Sequence, residues 1–199
     1  PVTPRPFLIG LTGDVGAGKS TVRGWLEAQG AAALDADAVV HALLAPGGAA
    51  VRAVIEAFGP AFRGADGGID RRALAVRVFE DRGALTALEG LLHPMVREAT
   101  DRWLAACTAD VAVVEAVKLI ESGMAARCDA VWLVVADGRV RAERVRMRGW
   151  DDAEVARRLQ ADAPFAPRLA RATEVIDNTG DADATAVQLA RAWRRMLQG

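Results

Sequence analysis

Apolar residues along this chain fall into two patterns: short unbroken runs and stripes with helical spacing. Phe7-Leu8-Ile9, Ala31-Ala32-Ala33-Leu34, Asp110-Val111-Ala112-Val113-Val114-Glu115, Ala130-Val131-Trp132-Leu133-Val134-Val135 and Glu174-Val175-Ile176 are the runs, and each predicts a buried strand. Thr21 to Glu27 reads as an amphipathic helix, and Ala38 to Leu44 as another with Asp37 placed to cap it; Ala45-Pro46-Gly47-Gly48 ends the second. Residues 49–108 read almost wholly as helix. Val51, Val54, Ile55 and Phe58 recur at i, i+3, i+4, i+7, and Gly59-Pro60 and Gly64-Ala65-Asp66-Gly67-Gly68 interrupt the stripe. Asp70 caps a helix carrying Leu74, Val78 and Phe79. A further helix covers Leu85 to Leu91, and a long one runs from Met95 to Ala106 with Pro94 in its first turn, where a missing N–H costs nothing. After the fourth run, Asp137 to Arg148 reads as helix, and Trp150-Asp151-Asp152 starts another through Gln160. Ala186, Leu189, Trp193 and Met196 mark a closing helix.

Five apolar strands separated by helices predict an α/β domain whose parallel sheet is covered on both faces. The sixty helical residues between the second and third strands predict a helical module inserted into that core. No internal repeat or low-complexity segment interrupts the pattern. Ligands of such sheets sit at the carboxyl ends of the strands. Gly13, Asp35 and Asp37, Glu115, Asp137 and Asn178 stand at those ends.

Composition narrows the partners. The chain has 199 residues, enough for one domain with a sizeable core, and its net charge of -1 gives no basis for a nucleic-acid or membrane-surface partner. No apolar run approaches the length of a membrane span, and the first run leads straight into a glycine-rich turn, which makes it a strand and not a signal peptide. Cys107 and Cys128 form no C-x-x-C, and with His41 and His93 scattered they predict free thiols in a reducing cytoplasm and no structural zinc. Nearly every basic residue is Arg; Lys19 and Lys118 are the only lysines.

The chemistry-bearing stretch is FLIGLTGDVGAGKST, residues 7–21. Gly13, Gly18, Lys19 and Ser20 fit G-x-x-x-x-G-K-[ST], with Asp14-Val15-Gly16-Ala17 in the gap and Thr21 following. Glycines let successive backbone N–H groups turn inward on phosphate oxygens, and the helix that follows presents its positive end. Lys19 is expected to reach the β- and γ-phosphates, and the Ser20 hydroxyl to hold Mg²⁺. A strand before and a helix after satisfy the context, so the motif predicts a P-loop binding a nucleoside triphosphate.

LTGDVGAGKST, LDADAVVH, LLHPMV, VVEAVKLIESG and VIDNTG, in this order and spacing, resemble dephospho-CoA kinase over essentially the whole chain. The resemblance implies a P-loop kinase fold with a five-stranded parallel sheet flanked by helices. Its core would cover about 1–40, 109–136 and 172–199, with a helical substrate-binding insertion over about 41–108 and an arginine-rich lid over about 137–165. It implies transfer of the ATP γ-phosphate to the ribose 3′-hydroxyl of dephospho-CoA in the cytoplasm, with Mg²⁺, by a monomer or small homo-oligomer. Asp35 matches the acid that activates the acceptor hydroxyl. Asp37, His41, His93 and Glu115 are expected at the substrate, Asn178 at ATP, and Arg144 and Arg148 over the phosphates; Lys118, a charge where the family is apolar, reads as a contact to substrate phosphate or as a side chain reaching solvent. Glu115 is also expected to hold Mg²⁺ through water.

By their spacing, Arg141, Arg144 and Arg148 share one helix face, which suits either a lid over phosphates or a solvated surface paired with Glu143, Asp151 and Asp152. Asp35 and Asp37 read as base or helix cap, His41 as substrate contact or packed histidine, and His93 as substrate contact or shaper of a helix start. The chain departs from the family where Glu115 replaces Asp, where Val117-Lys118 replaces an apolar pair, at Asp162 in the lid, and at Asp14, an acid facing phosphate unless it turns outward. A P-loop kinase with a nucleoside monophosphate or sugar-acid acceptor, or a catalytically weak ATP-binding regulatory module, remains as the alternative.

Overall fold

The computed structural model describes residues 5–160 and 165–198, with Arg158 and Gln160 as backbone alone. Asp162 and the remainder of 161–164 lie outside the described residues. The chain divides into two compact units, residues 1–34 with 107–199 and residues 35–106.

The first unit is built on the predicted runs. Strands β1 (Phe7–Gly13), β2 (Ala32–Asp35), β3 (Val111–Glu115), β4 (Ala130–Val135) and β5 (Glu174–Asp177) form one sheet in the order β2-β3-β1-β4-β5. β1 runs parallel to β3 and β4, and β4 to β5, with Leu11 level with Glu115 and Gly13 level with Val134. The central strands are buried on both faces, which is why they read as unbroken apolar runs. On one face Ile9, Leu11, Val113, Trp132, Val134 and Ile176 pack under helix α1 (Lys19–Ala28) and the closing helix α9 (Ala182–Gln198), through Val22, Leu26, Leu189 and Ala192. Trp25 and Trp193 meet edge to face at 6.2 Å where these two helices touch.

The second unit is helical: α2 (Ala36–Leu44), α3 (Val51–Phe58), α4 (Arg71–Glu80) and α5 (Arg82–Ala106), with a 3₁₀ turn at Pro60–Phe62. Leu44, Val51, Val54, Ile69, Leu74 and Leu92 form its core. Asp70 caps α4 as the sequence predicts, accepting from Arg72 N and Ala73 N. Two expectations need correction. The cap of α2 is Asp35, which accepts from Asp37 N at 2.9 Å and Ala38 N at 3.1 Å, so the helix starts one residue before Asp37. The helices expected over 85–91 and 95–106 are one helix, with Pro94 and His93 in its interior. Leu88, Leu92 and Met95 recur at i, i+4, i+7 across the proline on the same core, and that packing carries the helix past the missing N–H.

Three helices follow β4: α6 (Gly138–Arg146), α7 (Asp152–Gln160) and α8 (Phe165–Arg171). Asp137 caps α6 through Arg139 N, and Asp151 accepts from Glu154 N at the start of α7. The apolar stripe of α6 and α7 closes on itself through Ala142, Val145 and Val155, with Trp150 against them. α8 was not foreseen; its sequence, FAPRLAR, is too short and too basic to carry a helical stripe.

Leu26 has no solvent exposure between α1 and the sheet. Leu26→Ala is expected to cost about 2–5 kcal/mol, read from the urea midpoint at unchanged slope. Cys128 packs beside Gly10, where an added Cβ would come within 2.8 Å of its sulfur. Burial, with Asp129 adding to it, pushes the Cys128 thiol up to about 11. The folded state therefore favours the protonated form. Its contribution to stability is intact below the thiol's ordinary value of 9.0 and drains away as pH rises through about 11. Alkylation at about pH 8 should modify Cys128 more slowly than a free thiol, as peptide mass spectrometry would show.

Candidate active site

Residues 13–20 leave β1 and enter α1 as a glycine-rich loop. Gly13 is required by close approach, since an added Cβ would collide with the Val134 carbonyl of the neighbouring strand. Gly18 caps α1 at φ 93°, a left-handed conformation that favours glycine. Side chains hold the loop's carbonyls. Lys19, 8% exposed, donates from Nζ to Gly13 O at 3.0 Å and Asp14 O at 3.5 Å. Arg141 Nε donates to Val15 O at 2.9 Å, and Arg144 Nη1 to Gly16 O and Ala17 O at 3.4 and 3.3 Å.

Asn178, just past β5, is buried and donates from Nδ2 to Ala17 O at 2.8 Å, while its Oδ1 accepts from Thr185 Oγ1 at 3.0 Å. Arg144 Nη2 also donates to Asn178 O at 2.8 Å. A cavity of about 360 Å³ opens beside this cluster, lined by Gly18, Thr21, Arg144, Arg148, Asn178 and Gly180 among others. Asp177 is exposed, and the Thr179 hydroxyl and N–H beside it hold its carboxyl below the usual carboxylate range.

Arg148 departs from the expected arginine face. α6 ends at Arg146, so Arg148 is on the turn that follows, exposed, while Arg141 and Arg144 alone share the helical face toward the loop. Asp14 turns its carboxylate to two arginines, Arg141 Nη1 at 3.5 Å and Arg168 Nη1. Arg168, on α8, is the functional-site residue that sequence reasoning missed. Its Nη2 donates to Val117 O at 2.9 Å, so it joins the loop after β3 to the loop after β1.

Glu115 is buried at the end of β3, with Arg23 Nη1 of α1 at 3.1 Å from its Oε2. Lys118 is exposed on the following turn, and Ser20 and Thr21 are exposed in the first turn of α1. In the helical unit, Asp35 is half-buried as the cap of α2. Asp37 and His41 are exposed one turn apart on that helix, and His93 is half-buried within α5. Among the described residues no cluster of three or more His, Cys, Asp or Glu is arranged to hold a metal. No helix among them is long and apolar enough to cross a membrane.

The family model described as dephospho-CoA kinase matches residues 7–184. A dephospho-CoA kinase of Moorella thermoacetica is 40% identical over 195 residues, covering 96% of this chain and 92% of the relative. A crystal structure of a Thermus thermophilus protein superposes at TM-score 0.83 with 35% identity, covering 98% of both chains. Dephospho-CoA kinase from Campylobacter jejuni shares the fold at TM-score 0.67, with 19% identity over 96% of this chain and 97% of that one. The sheet order, the phosphate loop and these matches agree, and the chain belongs to the dephospho-CoA kinase family.

Proposed function

We propose that this chain moves the γ-phosphate of ATP to the ribose 3′-hydroxyl of dephospho-CoA, giving coenzyme A and ADP. The observation that carries the reading is the phosphate loop itself, held by Lys19, Arg141, Arg144 and Asn178 in a chain that matches the family over residues 7–184. Phosphoryl transfer asks little covalent chemistry of a protein and much positioning and charge neutralisation. Lys19 and Arg144 carry that charge at the loop, and Arg148 adds to it from the lip of the adjoining cavity.

Roles for the helical unit rest on the family's sequence pattern. Asp35 takes the proton of the acceptor hydroxyl as the new bond forms, because a ribose hydroxyl is a poor nucleophile without a base in reach. Asp37, His41 and His93 contact the acceptor, and Lys118 meets its phosphates. The arginine-rich segment of about 137–165 acts as the lid that excludes water.

The donor set at the loop fits Mg²⁺. The Ser20 hydroxyl and the Glu115 carboxylate are hard oxygen donors, and an ion that keeps most of its waters needs only one or two protein ligands. Bound there, Mg²⁺ would neutralise charge between the β- and γ-phosphates. Arg23 fixes the Glu115 carboxylate, so the acid would reach the ion through water. The protein is proposed to work in the cytoplasm, as a monomer or small homo-oligomer, without nucleic-acid or membrane partners.

ADP formation is expected with dephospho-CoA and not with adenosine, AMP, CMP or gluconate. Turnover with one of the other acceptors would replace the assigned reaction, and ATP binding without any turnover would favour a regulatory module. Lys19→Ala should lower kcat/KM by roughly 100-fold or more. Asp35→Asn should lower kcat by about 100-fold or more with the KM for ATP held, and a variant that keeps its kcat would leave Asp35 as a helix cap only.

A further inference from the structure

Asp14 is the charged side chain of the phosphate loop to which the reaction above gives no task. Two helices contribute an arginine to it: Arg168 Nη1 of α8 bonds its Oδ1, and Arg141 Nη1 of α6 lies 3.5 Å from its Oδ2. The arginine side chains are 3% and 9% exposed, against 23% for Asp14. Each guanidinium is also pinned to backbone, Arg168 Nη2 on Val117 O and Arg141 Nε on Val15 O, both at 2.9 Å. Arg168 Nε is buried without a hydrogen bond, with Glu121 Oε1 at 3.8 Å.

Two nearly buried guanidinium groups meet at this one carboxylate, at the rim of a loop that receives a triphosphate. A buried cation without a counter-charge is costly, and a planar guanidinium keeps its aim only while its fork is occupied. An acid inside the loop meets both needs before nucleotide arrives.

We propose that Asp14 is a positioning residue for phosphoryl transfer, a resident anion that holds Arg141 and Arg168 on the phosphate loop until the triphosphate shares that hold. The proposal rests on the ATP-dependent reaction assigned above. Arginines set in advance lose less freedom when the transition state forms, which raises kcat. The same carboxylate repels ATP, which weakens ground-state binding. Without Asp14, ATP therefore binds more tightly and reacts more slowly.

The test compares the parent chain with Asp14→Asn, Asp14→Glu and Arg168→Lys, by thermal melting with and without saturating Mg²⁺-ATP and by steady-state kinetics. Asp14→Asn should lower Tm by about 4 °C or more without nucleotide, and Mg²⁺-ATP should remove at least about half of that deficit. Its kcat should fall about tenfold while its KM for ATP falls about two- to threefold. Arg168→Lys should lower kcat in the parent and add little in the Asp14→Asn background, because both changes break one unit. Asp14→Glu should restore most of the kcat.

A Tm deficit that is the same with and without Mg²⁺-ATP would overturn the proposal and leave an ordinary structural ion pair. So would a kcat and KM within about twofold of the parent. If Asp14→Asn does not fold, the nucleotide dependence of the deficit is read on Asp14→Glu and Arg168→Lys, with the same overturning result. Melting with Mg²⁺-ATP needs no acceptor. Failure of the parent chain to use dephospho-CoA would therefore sink the assigned reaction while this test still reads Asp14.

Discussion

Five consecutive carbonyls, from Gly13 to Ala17, accept hydrogen bonds from the side chains of Lys19, Arg141, Arg144 and Asn178. Everything else about the site depends on that constraint. In a trans peptide the carbonyl of one residue and the N–H of the next point in opposite directions in one plane. Fixing each carbonyl therefore also fixes the direction of the N–H that follows it, and Ala17 N closes a turn on Asp14 O. A concave row of N–H groups at the start of a helix is what an anion requires. Lys19 is buried and donates to loop carbonyls at 3.0 and 3.5 Å.

The sheet makes the constraint possible. β1 delivers the loop at its carboxyl end, β4 leads to Asp137 and α6, and β5 ends just before Asn178. Parallel strands bring those ends to one edge, so residues far apart in sequence reach the same loop. Asn178 shows how short the tolerance is. Its amide sits against Gly18 so closely that a Cβ there would collide with it, and Thr185 of α9 fixes the other end of the same side chain. The loop, the last strand and the closing helix are therefore set by one buried network, whose members satisfy one another.

Much of this was legible in the sequence because it is written locally. The three central strands, buried on both faces, appear as unbroken apolar runs, and the phosphate loop needs its glycines, lysine and serine at fixed offsets, so these could be read in advance; the runs at β2 and β5 also form strands, but half-buried or exposed ones and not the buried strands expected. What could not be read depends on tertiary context. Asp35 and Asp37 are both good caps two residues apart, and only the fold decides that the helix begins at Ala36. Pro94 looks like a helix start until Leu88, Leu92 and Met95 are seen on one core. Spacing put Arg148 on the arginine face, but α6 ends before it. Arg168 sits in a short basic helix with no apolar stripe, and its importance comes wholly from what it touches. The one available signal was its counterpart, an acid in a loop built for anions.

That signal generalises within this chain. Each acid that stands out from the expected pattern at the strand ends has an arginine drawn from another element. Asp14 meets Arg141 and Arg168, and Glu115 meets Arg23 one turn into the helix that the loop begins. A carboxylate left alone at an anion site would repel the substrate and bear the cost of its own burial; paired with a guanidinium, it becomes part of the scaffold. Arginine suits this work better than lysine, because one planar fork can bond a carboxylate and a backbone carbonyl together, as Arg168 does with Asp14 and Val117. A chain whose basic residues are nearly all arginine can place acids at its phosphate loop where a lysine-rich one would find them harder to hold. Lys19 and Arg144, by contrast, donate to the loop's own carbonyls.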